Sequence, residues 1–413
     1  MVIPGGDRPR TPGTPVNPDT AEQPSLSCGG WQASPGGAAG RAAFAVAPEP
    51  EDFFLQSYDF PLPEAQIAQF PPEVRGTSRL MVLDRAGGAP RHSHFGELAR
   101  WLPEGALIVA NNSRVLPARL GGRREATGGT VEFLLLTPLP LLLAQPEAAE
   151  GTAGGARSAV AEGLVRSGGK LREGERLALD GDIHLTLLER GPFGRHRVRL
   201  ELRGDLAAAF ARAGKMPLPP YIRRPASGGD AERYQTVYAR PDKTGSAAAP
   251  TAGLHFTPEL RDGLAARGFD WREVTLYVGY GTFSPVRCED IRQHGMHTEY
   301  VEIPEETSRA VREALAGGRP VVAVGTTSAR ALEGVAAHFG EVRPFAGWTD
   351  IFLYPGKPFR VVDALVTNFH LPGSSLLMLV SALAGRKRML AAYAEAVRRG
   401  YRFFSYGDAM LIR

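Results

Sequence analysis

Between Pro250 and Thr257 the chain reads Pro-Thr-Ala-Gly-Leu-His-Phe-Thr, gathering two hydroxyls, an imidazole and a glycine ahead of a helix start. An imidazole such as that of His255 ordinarily titrates near neutrality and can move protons. Thr251 can bond a ligand, Phe256 can line an apolar face, and Gly253 can take positive φ or let a ligand approach the backbone. Thr257-Pro258-Glu259 is a good helix opening, with Thr as N-cap and Pro at the first helical position. Its bare amides favour an anionic or hydrogen-bond-accepting group. The same residues also suit a closed turn around a packing histidine, so the decision rests on their company elsewhere.

That company begins after the apolar run Val321 to Val324, where Gly325, Thr326, Thr327 and Ser328 form a turn and Arg330 sits one helical turn further on. A strand that runs through such a turn into a helix is where ligands sit in open α/β sheets. Its hydroxyls and amides suit a ribose, a carboxylate or a phosphate, although neither GxxxxGK[ST] nor GxGxxG is present. Gly281, Thr282 and Phe283 occupy a second strand-to-glycine junction, beside aromatics able to face a cation or a base. Asp350, Asn368, His370, Tyr406 and Asp408 lie in further polar segments at element ends, the two aspartates being acid/base candidates that equally suit caps and turns. His294, His297 and Glu299 fall short of a usual metal set, and no HExxH or GxSxG occurs. Only Cys28 and Cys288 are present, which excludes a disulfide framework and a zinc-cysteine cluster.

The elements that must position these groups follow from the hydrophobic pattern. Residues 1–50 are rich in Pro, Gly, Ala and Ser and are expected to be a flexible N-terminal extension. Strands are predicted over Ser78 to Asp84 and Gly105 to Ala110. From 113 to 220 the texture changes to short β runs, at Val131 to Thr137, Arg176 to Leu179, Ile183 to Leu188 and His196 to Leu202, which suggests a small antiparallel barrel or sandwich. Within it, Gln145 to Gly163 reads as an Ala/Gly/Glu-rich loop. Beyond 221 strands and helices alternate: strand Glu273 to Val278, helix Pro304 to Ala316, strand Val321 to Val324, helix Ser328 to His338, strand Val361 to Val366. The predicted architecture is a mainly parallel α/β domain, built from 51–112 and 221–413 and interrupted by an inserted antiparallel β-barrel domain at 113–220. With 413 residues, 43% of them hydrophobic, the chain can bury a substantial core. No apolar run reaches the roughly 18 residues of a spanning helix, and no secretory core is present, so no membrane partner and cytoplasmic residence are expected. The net charge of +4 permits a nucleic-acid partner without demanding one.

Several of these segments, in order, resemble the S-adenosylmethionine:tRNA ribosyltransferase-isomerase family of the queuosine pathway. The matching pieces include Asp59-Phe60-Pro61-Leu62-Pro63, Asn111 to Leu120, Pro217 to Ile222, Glu232 to Tyr238, Pro250 to Thr257, Val324 to Arg330, Trp348 to Phe352, Thr367 to Pro372 and Arg402 to Ile412. The resemblance implies transfer and isomerisation of the ribosyl part of S-adenosylmethionine onto 7-aminomethyl-7-deazaguanine at the tRNA wobble position. Epoxyqueuosine-tRNA, adenine and methionine result; the sulfonium nucleoside is consumed as co-substrate, and no separate cofactor or metal is expected. Tyr277 stands where the family often has His, Ser113 where Thr is common, and Gly373 where a basic residue is frequent.

On this reading His255 is the candidate base, with Asp350 and Asp408 as further catalytic candidates. Thr326, Thr327, Ser328 and Asp350 would hold ribose hydroxyls or the methionine part, and Phe256 and Phe283 would line the adenine or sulfonium face. Thr251, Gly253, Gly281, Thr282, Arg330, Asn368, His370 and Tyr406 complete the expected substrate site. Arg114, Arg119, Arg223 and Arg224 are the expected tRNA phosphate contacts, and a monomer is expected. The competing readings are an S-adenosylmethionine-dependent RNA methyltransferase, which would yield S-adenosylhomocysteine, and a tRNA-binding protein without catalysis.

Overall fold

The computed structural model of the chain describes residues 25–26, 43–145, 156–191, 194–279 and 285–413. Across one ten-stranded sheet the order is Ser25–Leu26, Phe345–Thr349, Glu299–Ile303, Asp270–Tyr277, Leu107–Asn111, Val321–Val324, Ala364–Asn368, Ala409–Ile412, Arg79–Leu83 and Arg91–His94. Its centre, from Asp270–Tyr277 to Ala364–Asn368, is parallel. Antiparallel pairs flank it on both sides.

The continuous apolar runs of the central strands have a plain cause, because both faces of the sheet are covered. Side chains alternate across a strand. Leu107 and Val109 therefore join one core with Val321, Ala323 and Leu365, while Ile108 and Ala110 join another with Val322, Val324 and Val366. Helices Gly325–Phe339, Ser375–Ala384 and Arg386–Arg398 cover the first face, through residues such as Leu332, Val335, Leu379 and Met389. Phe95, Leu98, Phe256 and Leu264 cover the second. No helix among the described residues is long and apolar enough to cross a membrane.

The second body is a closed antiparallel barrel of six strands: Ile183–Arg190, Arg195–Arg203, Ala156–Ser167, Thr130–Leu135, Arg119–Arg124 and Arg176–Leu179. Leu120, Phe133, Leu177, Leu185, Val198 and Leu200 fill it. The predicted loop from Gln145 to Gly163 is corrected here, because residues 156–163 belong to the longest barrel strand; 146–155 lie outside the described residues. Alanine and glycine give this strand the composition of a loop. A Cβ at Gly163 would lie 2.1 Å from Phe133 Cε2, so the barrel interior needs a glycine there. A short parallel pair, Arg114–Val115 with Thr244–Ser246, stands where the chain passes from sheet to barrel and back.

Two further expectations change. The described parts of the extension, 25–26 and 43–50, are both docked: Ser25–Leu26 pairs in parallel with Trp348–Thr349, Phe44 and Phe359 exchange backbone hydrogen bonds of 2.8 and 2.7 Å, and Arg85 lies over the Phe44 ring. Just beyond, Arg386 Nε donates to Asp52 Oδ1 at 2.5 Å, and Tyr58 Oη donates to the Asp52 carbonyl at 2.8 Å. The composition of residues 1–50 concealed that anchor. The helix expected from Ser328 starts instead at Gly325, whose φ of +86° lets the strand turn into the helix without a loop.

Candidate functional site

A cavity of about 340 Å³ opens beyond the C-terminal ends of the parallel strands Val321–Val324 and Ala364–Asn368. One wall is the start of helix Gly325–Phe339, with Thr326 and Thr327; a second is Thr367 to Ser374; a third is Ala249 to Ala252; Tyr221, Phe404 and Ser405 close it. Crossover topology puts ligand-binding loops at such strand ends. No carboxylate is among the described lining residues, so a bound cation would meet aromatic faces and hydroxyls.

Phe404 is one of two described non-glycine residues with positive φ, at +71°. That conformation is strained and persists only where its surroundings enforce it. Here its ring stacks on Tyr221 at 4.4 Å between centroids, its amide donates to Phe369 O at 3.1 Å, and its carbonyl accepts from Asn368 Nδ2 at 3.0 Å. Tyr221 Oη in turn meets Ser405 Oγ at 2.6 Å.

Asn368 orients its neighbour in the same way. Because the Phe404 carbonyl can only accept, the amide nitrogen must lie on that side, and it also reaches His255 Nε2 at 3.0 Å. His255 Nε2 is therefore an acceptor, and the ring hydrogen sits on Nδ1, donated to Ser78 Oγ at 2.8 Å. Burial pushes this imidazole down to about 4, with the Asp408 charge opposing only in part, so it is neutral at physiological pH. His255 does not line the cavity. It borders a smaller cleft behind Ser405, lined also by Pro71, Pro72, Arg75, Arg233 and Tyr406. Of the expected base, the structure shows both ring nitrogens hydrogen-bonded, between Asn368 and Ser78, at the edge of this cleft.

His370 does line the cavity. Its Nε2 meets Thr367 Oγ1 at 2.9 Å, and its amide donates to Tyr393 Oη at 2.9 Å. Burial pushes it down to about 3. Asn368 Oδ1 and Thr327 Oγ1, on residues of the same cavity, are buried with no partner among the described residues. Leaving such atoms unsatisfied costs about 1–3 kcal/mol each, which a ligand or water can relieve.

Of the expected site residues, Thr251, Thr326, Thr327, Asn368 and His370 come together on the cavity; Gly281, Thr282 and Phe283 lie outside the described residues. The others serve the framework. At Gly253 an added Cβ would lie 2.1 Å from Tyr238 Oη, so the close approach foreseen there is made by the protein's own tyrosine. Phe256 is fully buried between Phe95 and Trp271, edge-on to both. Ser328 Oγ donates to Val324 O at 2.7 Å. Arg330 forms a buried ion pair with Glu299, whose other oxygen accepts from Gly279 N at 3.1 Å. Asp350 is half-buried after strand Phe345–Thr349 and does not line the cavity. Tyr406 Oη donates to Asp230 Oδ1 at 2.9 Å. Asp408 accepts from Arg79 N and Nη2, both at 2.9 Å, and from Arg402 N at 2.8 Å, which makes it a strand-end clamp. Tyr277 donates to Glu302 Oε1 at 3.3 Å, and burial pushes its phenol well up.

The expected phosphate contacts also divide. Arg114 is exposed, while Arg119 pairs with Glu132 at 2.7 Å and Arg223 with Glu64. Arg224 is structural: its fork grips Asp230 through two 2.7 Å bonds. Burial raises the Asp230 carboxyl, but Arg224, Ser227 and Tyr406 together outweigh it and hold the group well below the usual range. The three candidate metal-ligating side chains diverge, with His297 on Arg195 at 3.2 Å, His294 edge-on to Phe352 and Glu299 on Arg330.

Tyr221, Thr367, Phe404 and Ser405 were missed as site residues. Pro219-Pro220 before Tyr221 was the available signal, since paired prolines fix the direction of the chain. Nothing local marks Phe404, whose backbone is set by tertiary contacts.

A family model described as "Queuosine biosynthesis protein" matches residues 55–412. The S-adenosylmethionine:tRNA ribosyltransferase-isomerase of Nitratidesulfovibrio vulgaris (strain DP4) is 63% identical over 364 residues, covering 88% of this chain and 98% of that protein. That of Heliobacterium modesticaldum is 49% identical over 357 residues, covering 86% and 98%. A crystal structure of S-adenosylmethionine tRNA ribosyltransferase from Thermotoga maritima is similar at 36% identity, with 86% of this chain and 100% of that one covered and a TM-score of 0.47. The chain belongs to the queuosine biosynthesis family of S-adenosylmethionine:tRNA ribosyltransferase-isomerases.

Proposed function

We propose that the cavity takes S-adenosylmethionine together with the 7-aminomethyl-7-deazaguanine of a tRNA wobble position, and that the ribosyl group is transferred and isomerised there to give epoxyqueuosine-tRNA. The observation that carries this reading is the cavity at the parallel strand ends, with its unpartnered Thr327 hydroxyl and Asn368 carbonyl, in a chain of this family. The stacked rings of Tyr221 and Phe404 suit the sulfonium, because aromatic faces attract cations without neutralising them. The first-turn amides of helix Gly325–Phe339 suit the methionine carboxylate. Thr251 and Thr326, on the same cavity, suit sugar hydroxyls.

The sulfonium acidifies the ribose 5′ carbon. A base removes that proton, adenine leaves with its bonding pair, the aminomethyl nitrogen attacks the rearranged sugar, and methionine departs with the carbon–sulfur pair. We assign the proton transfer to His370 in place of His255, because His370 and Tyr221 are the titratable side chains among the described lining residues. Burial raises the Tyr221 phenol and keeps His370 neutral. The same burial makes neutral His370 a weaker base than a free imidazole, so the acidity conferred by the sulfonium carries the proton removal, and the protonated ring readily returns its proton to departing adenine.

The test is to incubate the protein with S-adenosylmethionine and tRNA carrying the aminomethyl base and to separate the small products. Adenine and methionine are expected. S-adenosylhomocysteine would replace the reading with methyl transfer, and no product at all would leave a tRNA-binding protein.

A further inference from the structure

Phe70 and Val74 are 61% and 65% exposed, yet the segment that carries them is firmly held. Arg224 Nε donates to Gln69 O at 2.9 Å, Arg402 to Phe70 O, Arg233 to Pro72 O and, at 3.1 Å, to Glu73 O, and Arg75 to Gln235 O at 2.9 Å. Pro71-Pro72 stiffens the segment further. Held in this way, the Phe70 ring still stays 61% exposed to water.

We propose that Phe70 is a stacking platform for an unpaired nucleotide of the tRNA anticodon loop that flanks the modified base. Three observations carry it. First, the Arg224 guanidinium lies over the ring at 4.5 Å from its centroid while the residue stays 61% exposed, and a base stacks on such a surface whatever its sequence. Second, the half-buried Arg75, Arg233 and Arg402 donate to neutral carbonyls and give the rim cations that no salt bridge among the described residues consumes, although the exposed carboxylates Glu73 and Glu232 share it. Third, the platform is continuous with the cavity: Gln69 Nε2 donates to the carbonyl of the cavity residue Tyr221 at 2.9 Å, and the cleft bordered by Pro71 and Pro72 shares Ser405 with the cavity. The proposal rests on the tRNA reading above and adds where the loop lies.

The test compares wild type with Phe70→Ala, Phe70→Leu and Phe70→Trp, all at an exposed position that does not carry the fold. Affinity is measured for an anticodon stem–loop RNA bearing the modified base and for a fully paired duplex of equal length, with light scattering for oligomeric state. Ala and Leu are expected to weaken stem–loop binding roughly ten-fold or more and raise the tRNA KM alike, with Trp restoring both. Duplex affinity, the KM for S-adenosylmethionine and the salt slope should stay constant, since no phosphate contact is removed. Unchanged stem–loop affinity in the Ala and Leu variants, with normal adenine release by wild type, overturns the platform alone. A change of oligomeric state in place of RNA affinity makes the face a protein contact and overturns it too. Absence of adenine release by wild type defeats the functional reading and the platform with it.

Discussion

The large cavity and the small cleft behind it share Ser405 and each hold one buried histidine, but the two imidazoles do different work. His255, in the cleft, is braced at both ring nitrogens by Ser78 and Asn368. His370, in the cavity, is held through Nε2 by a threonine of its own segment. A histidine in a well-furnished motif can thus sit in a side cleft while a plainer one lines the main cavity.

The sharpest way to break this comparison is to exchange the roles. His370→Ala should lower kcat for adenine release by about 10²–10⁴-fold while S-adenosylmethionine still binds. His255→Gln should cost far less in kcat and show mainly as lost stability; the reverse order of effects would restore His255 as the base. Next in size is the pH response. Both folded-state pKa values, about 4 and about 3, lie below the ordinary 6.5, so the stability tied to the neutral rings is complete above 6.5 and is lost as pH falls toward 4. Each ring should approach about 1.4 kcal/mol per pH unit in that window. Urea midpoints between pH 7 and 4.5 measure it, and His255→Gln and His370→Gln should each flatten the slope; a slope unaltered by both would disprove the linkage.

Gly253→Ala probes the cleft side by packing alone. Its methyl would lie 2.1 Å from Tyr238 Oη and 2.7 Å from Thr236 Cγ2, so a loss of about 1–3 kcal/mol is expected in denaturant titration. Tyr238→Phe should recover part of it, and no recovery would mean that the clash lies elsewhere. Smallest is Ser78→Ala, which strips the acceptor from His255 Nδ1–H at a cost of about 1 kcal/mol. Its kcat should match wild type, and a large fall would place the cleft in the chemistry.

Much of the fold was legible because both halves carry strong periods. Leu107 to Ala110 and Val321 to Val324 are apolar throughout, as strands covered on two faces must be, while Ile183 to Leu188 alternates as a barrel strand should. The strand Ala156–Ser167 gives little periodic signal because alanine and glycine begin it, although the Phe133 ring on the neighbouring strand requires a glycine at 163. The cavity was legible as far as local chemistry reaches, through Thr251, Thr326, Thr327, Asn368 and His370. What stayed hidden depends on partners distant in sequence. Asp408 reads as an acid until Arg79, 329 positions away, is seen gripping it, and Arg224 reads as a phosphate ligand until Asp230 is found in its fork. Phe404 offers nothing to a sequence reader, since its strain exists only in the assembled site.

The order of strands in the sheet also dictates a timetable. Leu107–Asn111 pairs with Asp270–Tyr277 and Val321–Val324, and Arg79–Leu83 pairs with Ala409–Ile412. During synthesis the early strands therefore wait unpaired while the whole barrel, whose contacts lie within its own stretch, emerges and can close. Ala409–Ile412 comes late and fills the gap between Ala364–Asn368 and Arg79–Leu83. Until it is seated, a closed barrel sits beside a sheet with two exposed strand edges, each open to pairing with another chain.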